Sequence, residues 1–238
     1  MKSLRSTLLP AIMALALAPS PADAALTITS SVGGAPASAG IVRDNLDWLA
    51  LGSAGGTNAA TGLTVTFFGN AATVTGSASG RYAAPFLSGN NGAGFGPGGS
   101  TQANGVDTTR YLSSGSSGAV ARSRVELALP GASSYFGLLW GSVDSYNTLA
   151  FYDGATLVGS LTGSAVTPRA TGNQGSQGTF YVNIVSDRPF DRVVASATSY
   201  AFELDNVAFS APTPIPAPAA LALFAMGLLG LAWARRRR

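Results

Sequence analysis

The chain has no cysteine, no histidine, one lysine and few charges of either sign. The first two absences exclude disulfide staples, Ser–His and Cys–His nucleophile pairs, and zinc-hydrolase centres. The lone lysine is Lys2, so the body has no Ser–Lys pair either. Charged residues make up 11% of the 238, against roughly 25% in ordinary soluble domains. The formal net charge is +3, but Lys2, Arg5, Arg235, Arg236, Arg237 and Arg238 all sit at the extreme ends. Without those six and Asp23, 8 basic residues face 10 acidic ones. The body therefore carries no basic patch, and nucleic acid is excluded as a partner.

Apolar residues are 46% of the chain, enough to bury a core once they are gathered. They come in short runs with glycine, serine and threonine between them, the mark of an exported β protein.

The first 24 residues, "MKSLRSTLLPAIMALALAPSPADA", read as a signal peptide. Lys2 and Arg5 supply the basic start, Leu8 to Ala18 the apolar stretch, and Ala22-Asp23-Ala24 the small-residue cleavage site. Cleavage there makes Ala25 the mature start. The apolar run of about 11 residues is short of the ~20 needed for a membrane span. Export to an oxidising space without cysteine leaves the fold to stand on its core, with Ca²⁺ as the one cofactor that could staple it.

At the other end, Ala219 to Ala234 holds no charge, and four arginines follow. With the preceding Ala-Pro it offers about 18 residues, or roughly 27 Å as a helix, just enough to cross an inner membrane. The arginines place the tail in the cytoplasm and the body outside. "APTPIPAP" before the span is an extended linker, since each proline fixes φ and withholds a donor. A plain C-terminal anchor would account for these features.

The order of Pro-x-Pro, apolar span and terminal arginine cluster resembles the PEP-CTERM sorting signal of Gram-negative surface proteins. Pro216, Ala217, Pro218 and Ala219 stand at the motif, with Ala217 where the name-giving pattern has glutamate; the Ala-Pro-Ala form resembles a frequent variant. The resemblance covers residues 212–238 and implies exosortase, a membrane processing enzyme, as partner, with the inner membrane holding the protein until processing.

Between the ends, residues 25–211 carry ten candidate strands: "ALTITSS", "LTVTFFG", "ATVTGSA", "AVARSRVELAL", "SYFGLLWG", "TLAFYDG", "TLVGSLTG", "TFYVNIVS", "RVVASAT" and "AFELDNVAF". Phe136, Leu138 and Trp140 share one face, as do Phe180, Val182 and Ile184, with Tyr181 and Asn183 opposite. Asp153-Gly154 predicts a hairpin with a type I′ turn. "IVRDNLDWLALG" (41–52) is the one candidate helix of the body. The expected fold is all-β, an antiparallel β-sandwich of jelly-roll type, with a closed barrel as the alternative. The strands are too short for an outer-membrane barrel. The stretch from about 134 to 210 is also similar to the C-terminal half of a family of exosortase-dependent bacterial surface proteins, which lends no biochemical activity.

What remains for catalysis is carboxylate chemistry by Asp44, Asp47, Asp107, Glu126, Asp144, Asp153, Asp187, Asp191, Glu203 and Asp205. Most read as turn residues (Asp153, Asp187) or arginine partners (Asp191, beside Arg188 and Arg192), and the body is expected not to be an enzyme. The glycine-rich run "GNNGAGFGPGGS" (89–100) has Pro97 where a dinucleotide loop needs its third glycine, and reads as a surface loop. Asp144, Asn147 and Asp205, with Asn206 beside it, combine acids and amides near strand ends and are the candidate Ca²⁺ ligands; their other reading is local turn closure. Tyr135, Tyr146, Tyr152 and Tyr200 are candidates for a sugar-binding face, whereas Trp140 belongs to the core. The expected function is that of an exported non-enzymatic surface or extracellular-matrix protein sorted by exosortase. The alternative is a lectin-like module acting on exopolysaccharide.

Overall fold

The computed structural model describes residues 24–32, 40–86, 105–115 and 123–210. The expected leader up to residue 23, the glycine-rich run and the whole tail, with Pro216 to Ala219 and Arg235 to Arg238, lie outside these. Among the described residues the fold is all-β and antiparallel, with eleven strands. They are β1 (Leu26–Val32), β2 (Ile41–Asp44), β3 (Gly55–Thr57), β4 (Thr64–Phe68), β5 (Ala72–Thr75), β6 (Arg110–Ser113), β7 (Arg124–Gly141), β8 (Asn147–Asp153), β9 (Thr156–Thr162), β10 (Phe180–Ala197) and β11 (Glu203–Ser210). Their ladders join into one sheet in the order β5-β6-β11-β7-β10-β8-β9, with β1 on β10, β2 on β11, and β4 on both β3 and β7.

Two 18-residue strands carry this arrangement, and each unites two of the shorter strands expected from sequence. The first half of β7 (Val125, Leu127) pairs with β4, and its second half (Phe136 to Gly141) with β11. β10 exchanges β1 for β8 along its length in the same way. The β7–β10 ladder breaks register between Val185 and Arg192, where Pro189 lies on one strand and Pro130 on the other. A proline gives no ladder donor and is tolerated in a strand at such a break. The prolines fall at the register break; they do not end the strands.

Both halves contribute to one core. Val125, Leu127, Phe136, Leu138, Trp140, Leu149, Phe151, Val182, Ile184, Val193 and Phe209 are buried in a single cluster. The period-two sets Phe136/Leu138/Trp140 and Val182/Ile184 fall in it as expected, with Phe180 packed against it and Trp140 fully buried. The opposite face of these strands is covered as well: Leu139 and Tyr181 form a buried pair of their own.

The candidate helix at 41–52 is instead β2 followed by a turn. Leu46 has φ of +60°, which no right-handed helix admits. Asp44 organises the turn. Its Oδ1 accepts from Leu46 N–H at 2.9 Å and Trp48 Nε1 at 3.0 Å, and its Oδ2 from Asn58 Nδ2 at 2.8 Å and Thr61 Oγ1 at 2.6 Å.

The Asp153-Gly154 hairpin is present, with a different turn. Asp153 pairs with Thr156, so Gly154 and Ala155 form the loop. Only Gly154 of the two has positive φ, at 57°, and it holds the first loop position. That is the mark of a type II′ turn rather than type I′.

Candidate functional site

Four segments meet at one end of the sheet and enclose a cleft of about 230 Å³. They are the β7–β8 turn with Ser142, Asp144 and Tyr146, the β10–β11 loop with Tyr200, the turn carrying Arg81 and Tyr82, and the loop with Thr171, Gly172 and Gln174. Glu203, the first residue of β11, closes the floor.

Asn147 holds two of these segments together. Its Oδ1 accepts from Trp140 Nε1 at 3.3 Å and from Asp144 N–H at 3.0 Å, while its Nδ2 donates to the Ala201 carbonyl at 2.7 Å. The Trp140 ring stacks on Phe202 at 4.2 Å between centroids, which fixes the same loop from the core side. Tyr146 completes the tie by donating its hydroxyl to the Tyr200 carbonyl. Asp144 bridges to Thr171, and Gly172 is a glycine for two reasons: its φ is +69°, and a Cβ there would stand 2.7 Å from the Asp144 carboxylate oxygens.

The acids of this end are unusually placed. Glu203 is buried, accepting from Ala83 N–H at 3.0 Å and Ser142 Oγ at 2.6 Å. Burial pushes its carboxyl up to about 7, against these hydrogen bonds, which favour the charged form. Burial also raises Asp144, an effect that the neighbouring Tyr146 opposes. Two residues along β11, Asp205 is held well above the usual carboxylate range by burial, and the neighbouring Asp107 carboxyl adds to the effect. Oδ1 of Asp205 and Oδ2 of Asp107 have no donor from the protein.

The sequence candidates thus separate. Asp144 lines the cleft, Asn147 is fully buried with its amide spent on the clamp, and Asp205 faces Asp107. Among the described residues no group of three or more His, Cys, Asp or Glu is gathered to hold a metal ion. Of the tyrosines, Tyr146 and Tyr200 come together in the cleft. Tyr135 is buried with its hydroxyl on Asn183, and Tyr152 lies under the Arg192 guanidinium at 4.2 Å. Arg192 makes its ion pair with Glu126 at 3.5 Å, across strands, while Asp191 accepts from Gly154 N–H. Arg81, Tyr82, Gln174 and the floor position of Glu203 escaped the sequence reading. An acid at the start of an otherwise apolar strand, as in "FELDNVAF", was the one available signal for Glu203.

The cleft has the shape and polarity to hold a small polar ligand, and chain elements outside it tell where the protein is sent. Residues 214–238 match a family model, the PEP-CTERM protein-sorting motif. The tail is a PEP-CTERM sorting signal. That motif supports exosortase-dependent sorting of an exported protein to the cell surface. No curated protein and no solved structure matches the chain. Among the described residues no helix is long and apolar enough to cross a membrane, and the span at 219–234 is not among them.

Proposed function

We propose that this is a non-enzymatic surface or extracellular-matrix protein, held in the inner membrane by its tail until exosortase processes it. The observation that carries this reading is the sorting motif at 214–238. Each of its prolines withholds a backbone donor, and a processing enzyme that reads the motif would depend on that pair. The double substitution Pro216→Ala, Pro218→Ala leaves the apolar span intact. In an exosortase-containing host it should leave full-length protein in the inner membrane. Wild-type processing of that variant would refute proline recognition. The body that this tail delivers is proposed to be a β-sandwich, its two faces being the halves of the sheet on either side of the register break between β7 and β10.

The cleft favours a second reading, that the body binds carbohydrate of the exopolysaccharide. Tyr200 is 42% exposed at its rim, with Tyr146 and Tyr82 beside it and Asp144, Gln174 and Arg81 within reach of a ring's hydroxyls. Exposed aromatic faces with convergent polar groups suit a sugar ring. The volume, below the roughly 300–1,000 Å³ of drug-sized ligand sites, suits one residue of a chain. A pull-down of full-length protein on host exopolysaccharide should succeed and lose most of its yield in Tyr200→Ala. No retention of the wild-type protein would sink this reading while leaving the sorting reading in place.

A further inference from the structure

The expected signal-peptide site falls where the sheet begins. The first ladder pair of β1 is Leu26 with Ser186 of β10. Just before it, Ala25 N–H donates to Oδ1 of Asp187 at 3.0 Å, and Asp187 N–H donates to the Ala25 carbonyl at 3.3 Å. Along the rest of an antiparallel ladder, backbone carbonyls receive the amides. Here a side-chain carboxylate takes that place, at the one residue that the Ala22-Asp23-Ala24 site would turn into an N-terminus.

We propose that removal of the leader between Ala24 and Ala25 sets a new α-ammonium on the Asp187 carboxylate, pinning the start of β1 to β10 in the mature protein. The inference rests on the reading of the protein as exported. Water is the co-reactant: hydrolysis leaves the Ala24 carboxyl on the leader and the amine, protonated at neutral pH, on Ala25. The neutral N–H···carboxylate bond of the unprocessed chain becomes a hydrogen bond between opposite charges, the stronger kind. The bond from Ala24 N–H to the Val158 carbonyl departs with the leader.

The neighbourhood suits an ammonium. β1 itself, and β9, whose Val158 carbonyl lies beside the start, contain no ionisable side chain. On β10 the flanking ionisable residues are Arg188, a cation opposing the ammonium, and Asp191, which is engaged with Gly154. Asp187 is thus the counter-ion for the new terminus. The seating matters to the fold, because Leu26 and Ile28 pack on the core, and Leu26 covers Gly159, where a Cβ would meet its Cδ1 at 3.2 Å.

The sequence makes the test clean. The only lysine is Lys2, so a chain starting at Ala25 has its α-amine as its sole primary amine. Protein isolated from an exporting host would be N-terminally sequenced, then reductively methylated with ¹³C-formaldehyde and titrated by NMR. The expected result is a start at Ala25 and an α-amine pKa that falls by roughly 0.2–0.7 unit in Asp187→Asn, the range of exposed ion pairs. Asp187→Glu, which keeps the charge, should restore part of the shift. A start at Ala25 with titration unchanged in Asp187→Asn would overturn the role of Asp187 and leave export standing. A start elsewhere in exported protein would overturn the cleavage position itself.

Discussion

Asn147 and Glu203 show how single polar side chains govern the cleft end. Asn147 satisfies an indole N–H, a backbone N–H and a backbone carbonyl at once, all of them buried. Asn147→Ala orphans all three, and should cost roughly 2–4 kcal/mol in denaturant unfolding. A change under about 0.5 kcal/mol would show that the clamp does not hold the two segments. For Glu203 the argument concerns protons. Its carboxyl titrates at about 7 in the folded chain and at its ordinary 4.5 when unfolded. The folded state therefore binds more protons between those values, and this group's contribution to stability is full below about 4.5 and lost as pH rises through about 7. Glu203→Gln, able to keep partners in Ala83 and Ser142, should flatten that part of the stability–pH curve. Unfolding titrations across pH 4–8 showing the same slope in both proteins would contradict the buried, protonated floor. Neither role was legible beforehand. An asparagine beside a turn reads as turn closure or as a ligand, and only the fold reveals that its amide is already spent. The cleft tyrosines 146 and 200 could be named from composition; Arg81 and Gln174 could not, because they reach the site from segments far away in sequence.

At the level of elements, period-two alternation was a reliable guide. It identified the inward faces of β7 and β10, while the Asp153-Gly154 pair marked the β8–β9 hairpin. It failed where a residue has two readings. Pro130 and Pro189 look like strand ends in sequence, yet they sit where the ladder already breaks, so two pairs of short strands became two long ones. Ile41, Leu46, Trp48 and Leu49 imitate a helical face, but the four hydrogen bonds gathered by Asp44 favour a strand and a tight turn. β3 and β6, with three and four residues, are too short to show a period at all. The hairpin offers a test at this scale. With Gly154 alone at positive φ, Gly154→Ala places a Cβ in a left-handed conformation and should destabilise the protein by about 1 kcal/mol. Space is no obstacle, as a Cβ there would meet nothing within 4 Å. An unchanged midpoint would mean that the turn is not held in this geometry.

For the whole molecule, sequence, fold and tail point the same way. A body without cysteine or histidine gathers its main apolar core from two long strands whose shared ladder breaks register, and a terminal motif carries the address. The body could be assigned a fold class from local pattern, but its sheet order depends on long-range pairings that no local pattern records. The sorting motif at 214–238 was legible because such a signal is a linear order of prolines, apolar span and arginines. The most direct test of the account is an immunoblot of full-length protein expressed in isogenic hosts with and without exosortase, fractionated into inner membrane, cell surface and medium. The account predicts a tail-shortened form at the surface or in the medium of the first host, and only the full-length form, in the inner membrane, in the second. The same size and distribution in both hosts would contradict it.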